Sequence, residues 1–206
     1  MSNNLLVYVN KSFSILRRHS STIINKVKLY LYGVKFGKNL KTSGLVYVRN
    51  GLGAVITIGD NVTIYSCRDI NPTGALIKST LFTWGNAVIR IGNDVGLSNT
   101  TIIASQSVTI EDRVFIGGGT QIYDTDHHSV IAEYRINGNS HVPSAPVLIK
   151  EDCFIGADCK ILKGVTIGKG SVVGAGSVVT KSIPNNEIWA GVPARFIKKV
   201  PTKIND

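Results

Sequence analysis

Apolar residues in this chain recur every six positions over long stretches. From Val34, a step of six lands on Leu40, Val46, Leu52, Ile58, Ile64, Ile70, Leu76, Phe82 and Val88. With 43% of residues hydrophobic, ten such hits in a row have a chance probability on the order of 0.0002, so the period is structural. After a shift of phase the step resumes at Ile91, Leu97 and Ile103, and again at Ile110, Ile116 and Ile122. It returns from Ile149 through Ile155, Ile161, Ile167 and Val173 to Val179. A six-residue unit suits one short strand plus a turn, repeated as one flat face of a solenoid whose apolar residue points into the stack. In IGADCK, ILKGVT, IGKGSV and VGAGSV the second position is usually Gly and the fifth is Cys, Val or Ser. That pattern fits tight corners with little room inside. Asp158, Gly164, Gly170 and Gly176 fill the fourth position, where a left-handed backbone conformation is cheap.

The rest of the chain bounds the function. Residues 1–59 hold nine Lys or Arg and no Asp or Glu, out of a net charge of +10. Such a region suits a phosphorylated ligand or an anionic membrane surface; nucleic acid is not expected, because no recognisable nucleic-acid module accompanies the charge. No window has the roughly 18 apolar residues of a spanning helix and the N-terminus lacks the layout of a secretory leader, so a cytoplasmic protein is expected. The three cysteines, Cys67, Cys153 and Cys159, are odd in number and sit among apolar or small residues, which points to reduced core thiols. Residues 1–33 form a basic segment with Phe13, Leu16, Ile23, Ile24, Val27 and Leu31 close to one helical stripe,. One or two helices capping the first coil are expected. The second reading is a basic amphipathic helix in peripheral contact with the inner membrane.

The repeat fails between Ile122 and Ile149, a span of four hexads plus three residues. Part of it must leave the coil, and the expected excursion covers about 129–146. The predicted organisation is therefore a helical segment at 1–33, the repeat at 34–184 and a tail at 185–206. The interruption, which opens IYDTDHHSV, holds three of the four histidines, and long excursions from rigid scaffolds are commonly functional. A neutral histidine can take a proton from an acceptor hydroxyl, and a carboxylate on its other nitrogen can fix the tautomer. His127 or His128 is the candidate base, with Asp124 or Asp126 as orienter. Two surface histidines in a polar loop is the plain alternative.

These hexads resemble the hexapeptide-repeat acyltransferases over roughly residues 34–198. The resemblance implies an all-β solenoid, a left-handed parallel β-helix of three faces and about eighteen residues per coil. The segment Asp126, His127, His128, Ser129 is similar to the sugar and surface-polysaccharide O-acetyltransferases that carry Asp, a variable residue, His and then Ser or Pro. On that match His128 is the base. Counting from Ile110 in register with the galactoside and maltose acetyltransferases puts it on His127 instead; the local motif is preferred, giving His128. The string GAGSVVTKSIP followed by AGVPARFIKK looks like the last coils of the members that use acetyl-CoA. By that match Gly156 and Ala157 lie near the thiol end, Gly174 and Ala175 along the pantetheine, and Thr180, Lys181 and Arg195 near the nucleotide.

The same resemblance implies a homotrimer with active sites between subunits, a saccharide acceptor and no metal. The γ-class carbonic anhydrases share the helix and bind metal through three histidines, but their pair spaced by four residues is missing here. Two departures bear on the acceptor. Phe154 stands where the galactoside type has Trp, and Leu97 stands near its polar Asn, with Asn99 the closest replacement. The expected function is acetyl-CoA-dependent O-acetylation of a saccharide hydroxyl, of a capsular or lipopolysaccharide glycan or its precursor. The alternatives are an antibiotic or nucleotide-linked amino sugar as acceptor, or a non-catalytic solenoid scaffold.

Overall fold

The computed structural model describes residues 2–67 and 77–201, with the side chains of the first helix described at Ile15 and from Arg18 onward. Ile70 and Leu76 of the six-residue series, and the side chains of Phe13 and Leu16, lie outside the described residues. The strands are two to four residues long up to Val178–Val179 and pair in parallel with the strand three elements away. This is a left-handed parallel β-helix with three flat faces. Face A runs from Lys35–Phe36 to Thr166–Ile167 and has six strands. Face B runs from Lys41–Ser43 through Val172–Val173 and is closed by the hairpin Glu187–Gly191 and Ala194–Lys199. Face C runs from Tyr47–Arg49 to Val178–Val179. Three edges, AB, BC and CA, join them in chain order.

Most strands send one or two residues inward, and stacking those residues builds a core without a second layer. Ile56, Ile89, Val108, Val147 and Ile167 line face A, while Ile122, Ile161 and Val179 line face C, all essentially unexposed. Each buried aliphatic side chain contributes about 1.5–3 kcal/mol. Corners need backbone that most residues resist: Asp158, Gly164, Gly170 and Gly176 have φ of 56°, 75°, 66° and 70°, which explains the small or Asp residue at the fourth position.

The structure corrects the reading of the early repeats. Leu52 is 97% exposed, on the turn that leaves face C. Phe82 and Val88 are only half-buried, and their neighbours Leu81 and Ile89 carry the core. The cause is coil length. Lys35 pairs with Thr57 and Val55 with Val88, coils of 22 and 33 residues, whereas Leu148 pairs with Thr166, a coil of 18. Only the last coils keep the regular period.

Both ends of the stack are covered. Helix α1, Ser2–Leu31, meets the open edge of the first coil with polar side chains. Ser21 and Thr22 hydroxyls donate to the Thr42 carbonyl, the Asn25 amide donates to Gly44 O and accepts from Val46 N, and Lys28 Nζ donates to Val46 O at 2.9 Å. An uncovered strand edge leaves backbone N–H and C=O groups without partners, and these side chains supply them.

Cys153 and Cys159 sit one hexad apart in the core, with thiols directed at the Gly168 and Gly174 carbonyls at 3.0 and 3.2 Å. Burial pushes the Cys153 thiol up to about 11 and raises that of Cys159. The folded protein is therefore expected to react slowly with a thiol reagent at neutral pH and to react at every cysteine once unfolded in denaturant. Fast reaction of Cys153 or Cys159 in the native state would contradict this packing.

Candidate active site

The strand Gln121–Tyr123 is the last regular element before the excursion, and edge CA opens there. The chain returns to face A at Val147–Ile149. Between them the loop is pinned to its own base. Thr125 bridges Ser144, Asp126 N donates to Pro143 O at 3.0 Å, and Ala145 N donates to Asp124 O at 2.8 Å. A short helix, α2 (Ala132–Ile136), crosses the tip. Two hydrogen bonds hold the histidine pair in place. His127 N donates to Thr125 Oγ1, and Asn139 Nδ2 donates to His127 O at 2.9 Å.

The two histidines differ in setting. His127 has φ of 62° and is half-buried. Its ring lies edge-on to Trp84 and Tyr123, with centroids 5.5 and 5.2 Å away. Burial raises the Tyr123 hydroxyl above the ordinary phenol range. His128 is exposed. Trp84 in turn meets Phe82 edge-on with centroids 4.5 Å apart, and the Arg49 guanidinium sits over the Phe82 ring. Sequence reasoning did not connect Trp84 to His127, because the two are 43 residues apart and meet only where coils stack.

Among the described residues, neither candidate orienter bonds to an imidazole. Asp124 is completely buried, and its two oxygens accept from the Ser105 and Gln106 amides, each at 2.7 Å. Its carboxylate thus clamps the edge one coil below. Asp126 pairs with Lys163 Nζ at 2.7 Å. Lys163 follows the strand Lys160–Ile161 on the same edge, one coil above; sequence reasoning missed it because the loop hides its register.

The residues expected on the donor side divide between two edges. Gly156, Ala157, Gly174 and Ala175 turn edge BC, whereas Thr180 and Lys181 turn edge CA with His127 and Lys163. Arg195 pairs with Ala190 in the closing hairpin. Gly156 is buried, and a Cβ there would lie 2.5 Å from Ala175 N. Its smallness therefore serves coil stacking, while Ala157 is half-buried and Ala175 is exposed. Asn99 also turns edge BC, and it is completely buried with φ of 42°. Phe154 is half-exposed on face B beside Phe115, in a depression of about 500 Å³. A larger depression of about 690 Å³ lies on face A near Arg90, Glu111 and Arg113 and includes no residue of the histidine segment.

Residues 146–181 match the family model described as the hexapeptide repeat of succinyl-transferase. The galactoside O-acetyltransferase of Escherichia coli (strain K12) is 40% identical over 119 residues, covering 58% of this chain and 57% of the relative. The chain carries the hexapeptide repeat and is similar to hexapeptide-repeat acetyltransferases. Among solved structures, a hexapeptide-repeat acetyltransferase from Vibrio cholerae O1 biovar eltor, complexed with acetyl coenzyme A, is 33% identical with a TM-score of 0.52. That match covers 59% of this hexapeptide-repeat protein and 65% of that chain. An N-acyltransferase from Bacillus cereus aligns over 86% of this chain and 90% of its own, with a TM-score of 0.66 and 24% identity. That last likeness speaks to the fold alone. This hexapeptide-repeat protein spans 57% of the length of the curated relative it matches.

Proposed function

We propose that this chain transfers an acetyl group from acetyl-CoA to a hydroxyl of a saccharide, on a surface glycan or its precursor. The carrying observation is the setting of His127, a half-buried imidazole fixed at its backbone and walled by Trp84 and Tyr123. A general base must sit within hydrogen-bond reach of the proton it takes, in a place its surroundings define. The sequence motif favoured His128; the aromatic walls and backbone bonds favour His127. Aromatic faces also suit the apolar face of a sugar ring.

The base accepts the proton of the acceptor hydroxyl as its oxygen attacks the thioester carbonyl. Main-chain N–H groups of the edges stabilise the tetrahedral oxyanion. Collapse breaks the C–S bond and the imidazolium returns its proton to the departing thiolate, leaving an acetyl ester and free thiol. Asp126 and Lys163 form a charged pair beside the base, while Asp124 holds the edge that carries it.

The two sets of donor-side residues support a site between copies. The face C strand Val178–Val179 lies between Ala175 and Thr180, so one chain holds its BC and CA edges on opposite sides of that face. A neighbouring copy placing its BC edge against the CA edge of this one would bring Ala157 and Ala175 opposite His127 and Lys181. A homotrimer provides three such grooves. The enzyme acts on the cytoplasmic side in peripheral contact with the inner membrane.

The test is thiol release from acetyl-CoA with a panel of mono- and oligosaccharides, amino sugars and antibiotics. Turnover is expected to require a saccharide hydroxyl. Turnover only with an antibiotic or amine would move the acceptor class, and failure to bind acetyl-CoA would leave a scaffold.

A further inference from the structure

Helix α1 is amphipathic in the reverse of the usual sense. Surface helices turn their apolar side to the body of the protein, yet here Ser21, Asn25 and Leu29 face the coil and are buried. Ile23, Val27 and Leu31 are 64%, 56% and 75% exposed, and Ile24 and Tyr30 are exposed with them. At 3.6 residues per turn this row lies opposite Asn25. The first coil needs polar partners for its open edge, so the helix gives that edge its polar side and leaves the apolar side free.

Next to this row, α1 and Lys41 enclose a depression of about 470 Å³. Ile15 and Ile23 supply apolar lining, and Arg18, Lys26 and Lys41 stand around it as cations. Apolar walls under a rim of cations match a lipid phosphate with the start of its acyl chains. A second copy of this face would bring like charges together, since residues 1–59 contain no acidic side chain; an anionic bilayer brings the opposite sign. Among the described residues no helix is long and apolar enough to cross a membrane.

We propose that α1 lies in the plane of an anionic lipid bilayer, with the Ile23, Val27, Leu31 row in the acyl boundary and a lipid phosphate between Arg18, Lys26 and Lys41. This deepens the peripheral contact proposed above and is independent of acetyl transfer.

Cosedimentation of the full chain with phosphatidylcholine vesicles, with and without phosphatidylglycerol, tests it. Binding is expected only with phosphatidylglycerol and is expected to weaken as salt rises. Lys26→Gln and Lys41→Gln should each weaken it about fivefold, and Ile23→Asp with Val27→Asp about tenfold or more. Thiol release with a soluble acceptor should stay at the wild-type level in these variants, which separates failure here from failure of the catalytic reading. Equal binding to pure phosphatidylcholine, or wild-type binding by the variants, would overturn the proposal. Displacement by inorganic phosphate would make the depression a soluble-anion site. A changed oligomeric mass in the double Asp variant would make the face a subunit contact; either result also overturns it.

Discussion

His127→Ala is expected to lower kcat for acetyl transfer by about 10²–10⁴-fold, the usual worth of a positioned base. The KM for acetyl-CoA should hold, because Ala157, Ala175 and Lys181 remain in place. His128→Ala is expected to keep most of its activity. The asymmetry comes from the loop's construction. Asn139 and Thr125 fix the backbone of His127, and Trp84 and Tyr123 confine its ring, while His128 stands in solvent. A positioned base spends no ordering entropy at the moment of reaction. Full turnover by His127→Ala, with loss in His128→Ala, would return the base to the residue that the local sequence motif favours.

Asp124→Ala is expected to destabilise the fold by about 2–4 kcal/mol, because two charge-assisted bonds from the Ser105 and Gln106 amides disappear together,. In a chain of this size that lowers the melting temperature by about 10 °C. Asp124→Asn should fall between, since its amide retains one acceptor oxygen but presents an N–H group to a backbone donor. Thermal melts measured beside kcat separate this role from catalytic positioning. An orienting carboxylate would cost turnover and leave the melt unchanged, and that outcome would contradict the clamp.

Periodicity made the solenoid legible because the two-residue strands of the last coils each bury one residue whatever the neighbouring turns do. Ile149, Ile155, Ile161 and Ile167 therefore stand in the core as the six-step counts them. Phase was less legible. Coils of 22 and 33 residues absorb their extra length in turns, so Leu52 fell on an exposed corner and Leu81 took the core place expected of Phe82. The helical stripe of α1 was visible, but its direction was not: the sequence contains no sign that Asn25 and Thr22 would be needed for the edge at Thr42 and Val46. At the candidate site, the break after Ile122 located the histidines. Their surroundings depend on stacking across coils: a linear reading cannot pair Trp84 with His127 across the two coils from Thr80 through Thr101 to Gln121, or Lys163 with Asp126 across the 39-residue coil that sets Gln121 opposite Lys160.

The central claim is that the base and the donor groove come together from different copies. Two variants damage opposite edges: His127→Ala on edge CA, and Ala175→Trp on edge BC, where the exposed alanine leaves room for an indole that fills the groove. Each alone is expected to be inactive. Coexpressed under separate tags and purified as mixed assemblies, they should regain thiol release in about one quarter of the sites under random mixing, since an intact edge CA then meets an intact edge BC. Mixed assemblies as inactive as either variant alone would place both halves of the site within one chain and contradict the account.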